Sequence, residues 1–159
     1  MSDGVLLDTS FFIRLLDKRE KLHSNAKGYF KYFLEKESKI FISTISVAEY
    51  CVGGEVDDLP LENLQIVPFN FNHAKRTGEF AKIVFQNKKQ LALKERNIIP
   101  NDTKLFAQAD TEQAIESYLS SDTESFKIYS LLKKLTKPRF QFIDLNKPYS
   151  ENLGMLDLK

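Results

Sequence analysis

The 159-residue chain has one cysteine, Cys51, no tryptophan and only two histidines. A single thiol forms no internal disulfide, which fits a reducing compartment. Cys51 lies in an apolar stretch and reads as core rather than nucleophile. His23 and His73 have no Cys, His or acid at metal-ligand spacing, so both read as surface residues and no zinc site is expected. No glycine-rich loop follows any strand-like segment, which excludes a phosphate-cradling loop. No apolar run approaches the ~20 residues that cross a bilayer. Met1-Ser2-Asp3-Gly4 lacks the basic, then apolar, character of a signal peptide. A cytoplasmic protein with no membrane association is expected. Basic and acidic residues number 23 and 22, so no overall positive field advertises nucleic acid, although a local stripe or acidic pocket would be hidden in that total.

What is present is ordinary globular composition, with 42% hydrophobic residues. The length predicts a single domain over 1–159, with a core from about 4 to 145 and a polar tail over 146–159. Val5-Leu6-Leu7 runs straight into Asp8, and Thr9 and Ser10 can cap the apolar helix that begins at Phe11. A strand apolar on both faces suits the centre of a parallel sheet. Strands are further predicted at Lys39–Ser43, Leu64–Phe69, Ser117–Ser120 and Phe140–Leu145. Between them lie helical patterns: Asn25 to Glu37, a short helix after Thr44, His73 to Glu95, one opened by Asn101-Asp102, and one capped by Asp122-Thr123. Arg96 to Pro100 breaks the pattern. Strands alternating with helices imply an α/β fold, a parallel sheet covered on both faces.

Four acids recur at these junctions. Asp8 follows the first strand, Glu49 lies on the helix after the second, Asp102 opens the helix before the fourth, and Asp122 follows the fourth. In a parallel sheet the strand tips share one edge, and Asp8, Glu49 and Asp122 gather there; Asp102 joins them if its helix starts at the same edge. Each acid alone has a plain reading as a helix cap or a solvated side chain. Together they would repel one another and raise each other's pKa unless a cation neutralised them. A hard divalent ion with oxygen ligands, Mg²⁺ or Mn²⁺, is the natural occupant, and it makes bound water more acidic and clamps phosphodiester oxygens.

The segments Val5-Leu6-Leu7-Asp8-Thr9-Ser10, Ile45-Ser46-Val47-Ala48-Glu49-Tyr50, Asn101-Asp102 with Leu105, Ala107 and Ala109, and Leu119-Ser120-Ser121-Asp122 with Phe126 resemble, in this order, the motifs of the PIN-domain family. The resemblance implies a three-layer α/β/α sandwich around a parallel sheet of four or five strands. It implies Mg²⁺- or Mn²⁺-dependent cleavage of RNA to a 5′-phosphate and a 3′-hydroxyl. By position, Asp8, Glu49, Asp102 and Asp122 match the catalytic, metal-binding acids, and Ser10 and Ser120 match hydroxyl residues that orient them. Two departures stand out: Glu124 sits where an Asp often follows the last acid, and Phe106 where Ala is commoner. Many small members resemble VapC-type toxins, which pair with an antitoxin protein and form homodimers.

An RNA substrate needs cationic contacts. Arg14, early in the first helix, is the expected substrate-binding residue, and Lys75-Arg76, Lys82, Lys88-Lys89, Lys94 and Arg96 form either a basic stripe or a solvated face. Other chemistries fit less well. A haloacid-dehalogenase-type phosphatase wants a second Asp where Ser10 stands, and a receiver domain wants an acid pair at the first strand. The alternative from another class is a non-catalytic PIN-like scaffold that binds RNA or protein. Such a scaffold has no need of clustered carboxylates, which cost folding energy.

Overall fold

The computed structural model describes residues 4–87 and 98–153. Five parallel strands form one sheet in the order β3-β2-β1-β4-β5: β1 (Gly4–Leu7), β2 (Ile40–Ser43), β3 (Gln65–Val67), β4 (Ile115–Ser120) and β5 (Gln141–Asp144). The helices are α1 (Thr9–Leu16), α2 (His23–Glu35), α3 (Thr44–Tyr50), α4 (Phe71–Gln86), α5 (Ile98–Thr111), α6 (Thr123–Leu135) and α7 (Tyr149–Asn152). Val56–Asp58 and Leu61–Asn63 form two 3₁₀ turns in the segment expected to be an acidic loop.

Alternation along the strands splits the core into two layers. Val5, Leu7, Ile40, Ile42, Leu119 and Ile143 pack with Phe11, Phe12, Ala26, Tyr29 and Phe33 of α1 and α2. Leu6, Phe41 and Tyr118 face the other way, onto Phe80 and Val84 of α4, Leu105 and Phe106 of α5, and Ile128 and Leu132 of α6. The three-layer α/β/α sandwich expected from the sequence is therefore the observed fold. β1 lies at its centre, with all four residues buried.

Gly4 starts β1 at an irregularity: Gly4 pairs with Ile115 but Val5 pairs with Ser117. A Cβ at Gly4 would lie 1.8 Å from the Ala114 carbonyl oxygen and 2.9 Å from the Phe41 ring. Backbone cannot yield as a flexible side chain does, so Gly4→Ala must push β1 off β4. We expect a loss of at least about 2 kcal/mol, measured by urea unfolding.

Several local expectations need correction. α5 begins at Ile98, not at Asn101-Asp102. Pro100 lies in its first turn, where the missing N–H has no partner to lose, so the proline does not break the helix. His73 is fully buried: its Nδ1 accepts the Asn70 backbone N–H at 3.1 Å and its Nε2 faces Glu112 Oε1 at 2.7 Å. Cys51 is exposed, because α3 ends at Tyr50 and the cysteine sits on its cap. The sequence pattern runs α6 through Phe126, Tyr129, Leu132 and Leu135, but the inward face is Ser125, Ile128, Tyr129, Leu131 and Leu132, which leaves Phe126 and Leu135 about half exposed. The helix expected from His73 to Glu95 is observed over Phe71–Gln86; Leu91, Lys88, Lys89, Lys94 and Arg96 lie outside the described residues. Part of the expected polar tail is α7, whose Asn152 donates to the Tyr29 hydroxyl at 2.6 Å and to the Asp144 carbonyl at 2.9 Å.

Candidate active site

The strand order reverses beside β1, and open α/β sheets bind ligands outside the carboxyl ends of their strands at such a point. Asp8 stands at that tip. It is the N-cap of α1, and its backbone N–H extends the ladder to the Leu119 carbonyl at 3.2 Å. Capping and cleft are not rival roles here. Oδ1 accepts from the Phe11 backbone N–H at 3.0 Å and from the Ser10 hydroxyl at 2.6 Å, while Oδ2 accepts from the Ser120 hydroxyl at 2.5 Å.

Each serine spends its one proton on Asp8 and then accepts from the turn between β4 and α6. Ser121 N–H donates to Ser10 Oγ at 3.3 Å, and Asp122 N–H donates to Ser120 Oγ at 3.0 Å. The carboxylate of the first strand thus ties together two turns more than a hundred residues apart in sequence. Asp122 in turn caps α6, Oδ1 accepting from Glu124 N–H at 2.8 Å and Ser125 N–H at 3.4 Å.

Asp102 enters from α5 and is 7% exposed. It sits inside the helix rather than at its start, so it has no capping duty. Its Oδ2 is buried with no hydrogen-bond partner. Burial pushes its carboxyl up to about 8; the facing Ser125 pulls it partly back, and the negative charges of Asp122, Asp8 and Glu49 push it further up. Asp8 rises to about 6, mainly by burial, against its three hydrogen bonds and with a push from Asp122. Glu49, at the exposed rim on α3, is also raised by burial, with the Thr9 hydroxyl and the Lys104 charge opposing. Asp102 thus lies close enough to the other three acids to feel their charge.

Among the described residues, however, no three His, Cys, Asp or Glu side chains are arranged to hold a metal ion. The donor chemistry does fit a hard cation. The donors are all oxygens, and Asp102 Oδ2 is orphaned in a buried place within reach of the charges of three other acids.

Two neighbours were missed in the sequence. Tyr118 of β4 is fully buried, its hydroxyl lacks a partner, and burial followed by the charges of Asp8, Asp102, Asp122 and Glu49 holds it well above the usual phenol range. An inward tyrosine next to the strand tip was the available signal. Lys104 lies two residues beyond Asp102 and acts on Glu49; an isolated lysine in a helix carries no such signal. Arg14 does not join the group. It sits in the last turn of α1, and its guanidinium pairs with Glu20. Arg76 is likewise committed, to Asp110 at 2.9 Å and Glu79 at 2.6 Å over the Phe80 ring.

This fold and edge site define a class, the PIN domain proteins. The chain belongs to the PIN domain family, whose model matches residues 5–130; it is a family of nucleases that generally use divalent metals. The structure is similar to FitAcB from Neisseria gonorrhoeae, with a TM-score of 0.62 and 16% identity over 89% of this chain and 97% of that one. It is similar to VapBC2 from Rickettsia felis bound to a promoter DNA fragment, with a TM-score of 0.56 and 15% identity over 89% and 98%. DNA-bound VapBC from Salmonella typhimurium gives 0.56 and 14% over 91% and 99%. At such identities the likeness is one of fold. No curated protein matches the sequence. No helix among the described residues is long and apolar enough to cross a membrane.

Proposed function

We propose that this chain is a metal-dependent ribonuclease that hydrolyses RNA phosphodiesters with Mg²⁺ or Mn²⁺, and that it serves as the toxin of a toxin–antitoxin pair. What supports the nuclease reading is that Asp102 feels the charges of Asp8, Glu49 and Asp122 while its own buried Oδ2 has no partner among the described residues. Asp102 Oδ2 and the remaining lone pair of Asp8 Oδ2 would hold the ion, with Asp122 and Glu49 as the further carboxylates. A divalent ion there would neutralise the acids and polarise both the phosphodiester and the attacking water. Ser10 and Ser120 fix the Asp8 carboxylate so that its geometry is set before substrate arrives. The toxin reading is supported by solved relatives that are VapBC assemblies, and it brings an antitoxin partner and a homodimer with it.

The test uses Mn²⁺ and a mixed-sequence RNA. Wild-type protein should cleave the RNA, and its melting temperature should climb with Mn²⁺ concentration. Asp8→Asn should stay folded while losing both the cleavage and the metal-induced rise. No cleavage and no thermal response up to millimolar Mn²⁺ would instead favour the non-catalytic scaffold.

A further inference from the structure

The described cations near the sheet mostly have acceptors already. Arg14 pairs with Glu20, Arg76 with Asp110 and Glu79, Lys127 with Glu124 at 3.1 Å, and Arg139 with the carbonyls that end α5. Lys104 differs. It is half-buried, and among the described residues no carboxylate lies within ion-pair distance of its amine, yet its charge reaches Glu49.

The direction of its face is fixed one turn further along α5. Gln108, four residues on and so on the same side of the helix, donates to the Val67 carbonyl at the tip of β3 at 3.2 Å. The neighbouring tip is also where α3 starts, since the Phe69 N–H donates to Thr44 Oγ1 at 3.2 Å. Lys104 therefore lies on the β3 side of α5, about half a turn around the helix from the buried Asp102, and its charge reaches Glu49.

We propose that Lys104 is a substrate-binding residue whose amine holds a backbone phosphate of single-stranded RNA next to the one being cut. This rests on the ribonuclease reading and names a contact within it. A polyanion entering an acidic cleft needs positive charge on its path, and one ammonium per phosphate is the unit of that attraction. Binding by a point charge on a flexible stem carries no base preference, so the contact sets affinity and register rather than sequence.

Cleavage of a short single-stranded RNA in Mn²⁺, followed across a range of KCl concentrations, tests the assignment. Lys104→Gln should raise KM roughly 5- to 10-fold, leave kcat within about twofold, and flatten the slope of log(kcat/KM) against log[salt] by ~0.7. Lys104→Arg should restore both. The Mn²⁺-induced rise in melting temperature should persist in Lys104→Gln, which also certifies its fold. A variant with wild-type KM and wild-type salt slope overturns the contact. So does a variant that changes kcat alone, because Lys104 would then act only through Glu49. If the wild-type protein itself fails to cleave in Mn²⁺, the ribonuclease reading falls and takes this contact with it.

Discussion

Asp102→Asn should leave a protein that cannot cleave yet melts at a higher temperature than the wild type when both are held in chelator at pH 8. Asp102 titrates in the fold at about 8, far above an unfolded aspartate. Over the interval between those values the folded state keeps a proton that the unfolded chain has given up. Stability is therefore complete at acid pH and is lost as pH rises through about 8, where the buried carboxylate is charged. Asp8, at about 6, adds a smaller loss at lower pH. A neutral amide at 102 removes the larger component. The gain should reach several kcal/mol, on the order of 5–10 °C at pH 8, and shrink to little at pH 5. Wild-type protein should recover the same ground on adding Mn²⁺. Cleavage by the variant should fall on the order of 1,000-fold. Equal activity, or an amide variant that melts lower at pH 8, would mean that Asp102 is neither charged machinery nor a cost to the fold.

The second large effect belongs to Phe106. The resemblance places it where the family commonly has alanine, so Phe106→Ala looks conservative by position. The packing says otherwise. The ring is fully buried and lies 5.0 Å from Tyr118, 5.5 Å from Phe140, 6.2 Å from Tyr129 and 6.4 Å from Phe142. Those partners are themselves large and fill the rest of the space, so truncation leaves a void they cannot close. We expect a loss of about 3–5 kcal/mol in urea unfolding. Because Phe106 packs on Tyr118, whose hydroxyl feels the charges of all four acids, any Mn²⁺-induced stabilisation should weaken as well. A cost below about 1 kcal/mol would mean that the aromatic cluster repacks.

The parts of this architecture that were legible in the sequence are those written locally. Val5-Leu6-Leu7 followed by an acid and two cap residues could be only a buried strand turning into a helix, and Asp122 before Thr123 announced the same device. The parallel sheet was legible from the alternation of strands and helices, which is topology rather than detail, and the grouping of the four acids was argued from that topology. What failed depended on distant partners. His73 looks like a surface residue until Glu112 arrives from α5, and Cys51 looks like core until α3 proves too short to turn it inward. Arg14 sat at a promising distance from Asp8, but its neighbour Glu20 claims it. The two unused polar groups, Asp102 Oδ2 and the Tyr118 hydroxyl, are visible only once the walls around them exist.

The bridge that joins Asp8 to Ser120 and to the turn bearing Asp122 also sets a timetable for synthesis. The first acid leaves the ribosome early, but its partners follow more than a hundred residues later, and β1 acquires its second neighbour only when β4 has emerged. Contacts so remote in sequence form slowly and late. A half-translated chain has no assembled cleft, so whatever chemistry the acids support waits until most of the domain has been made.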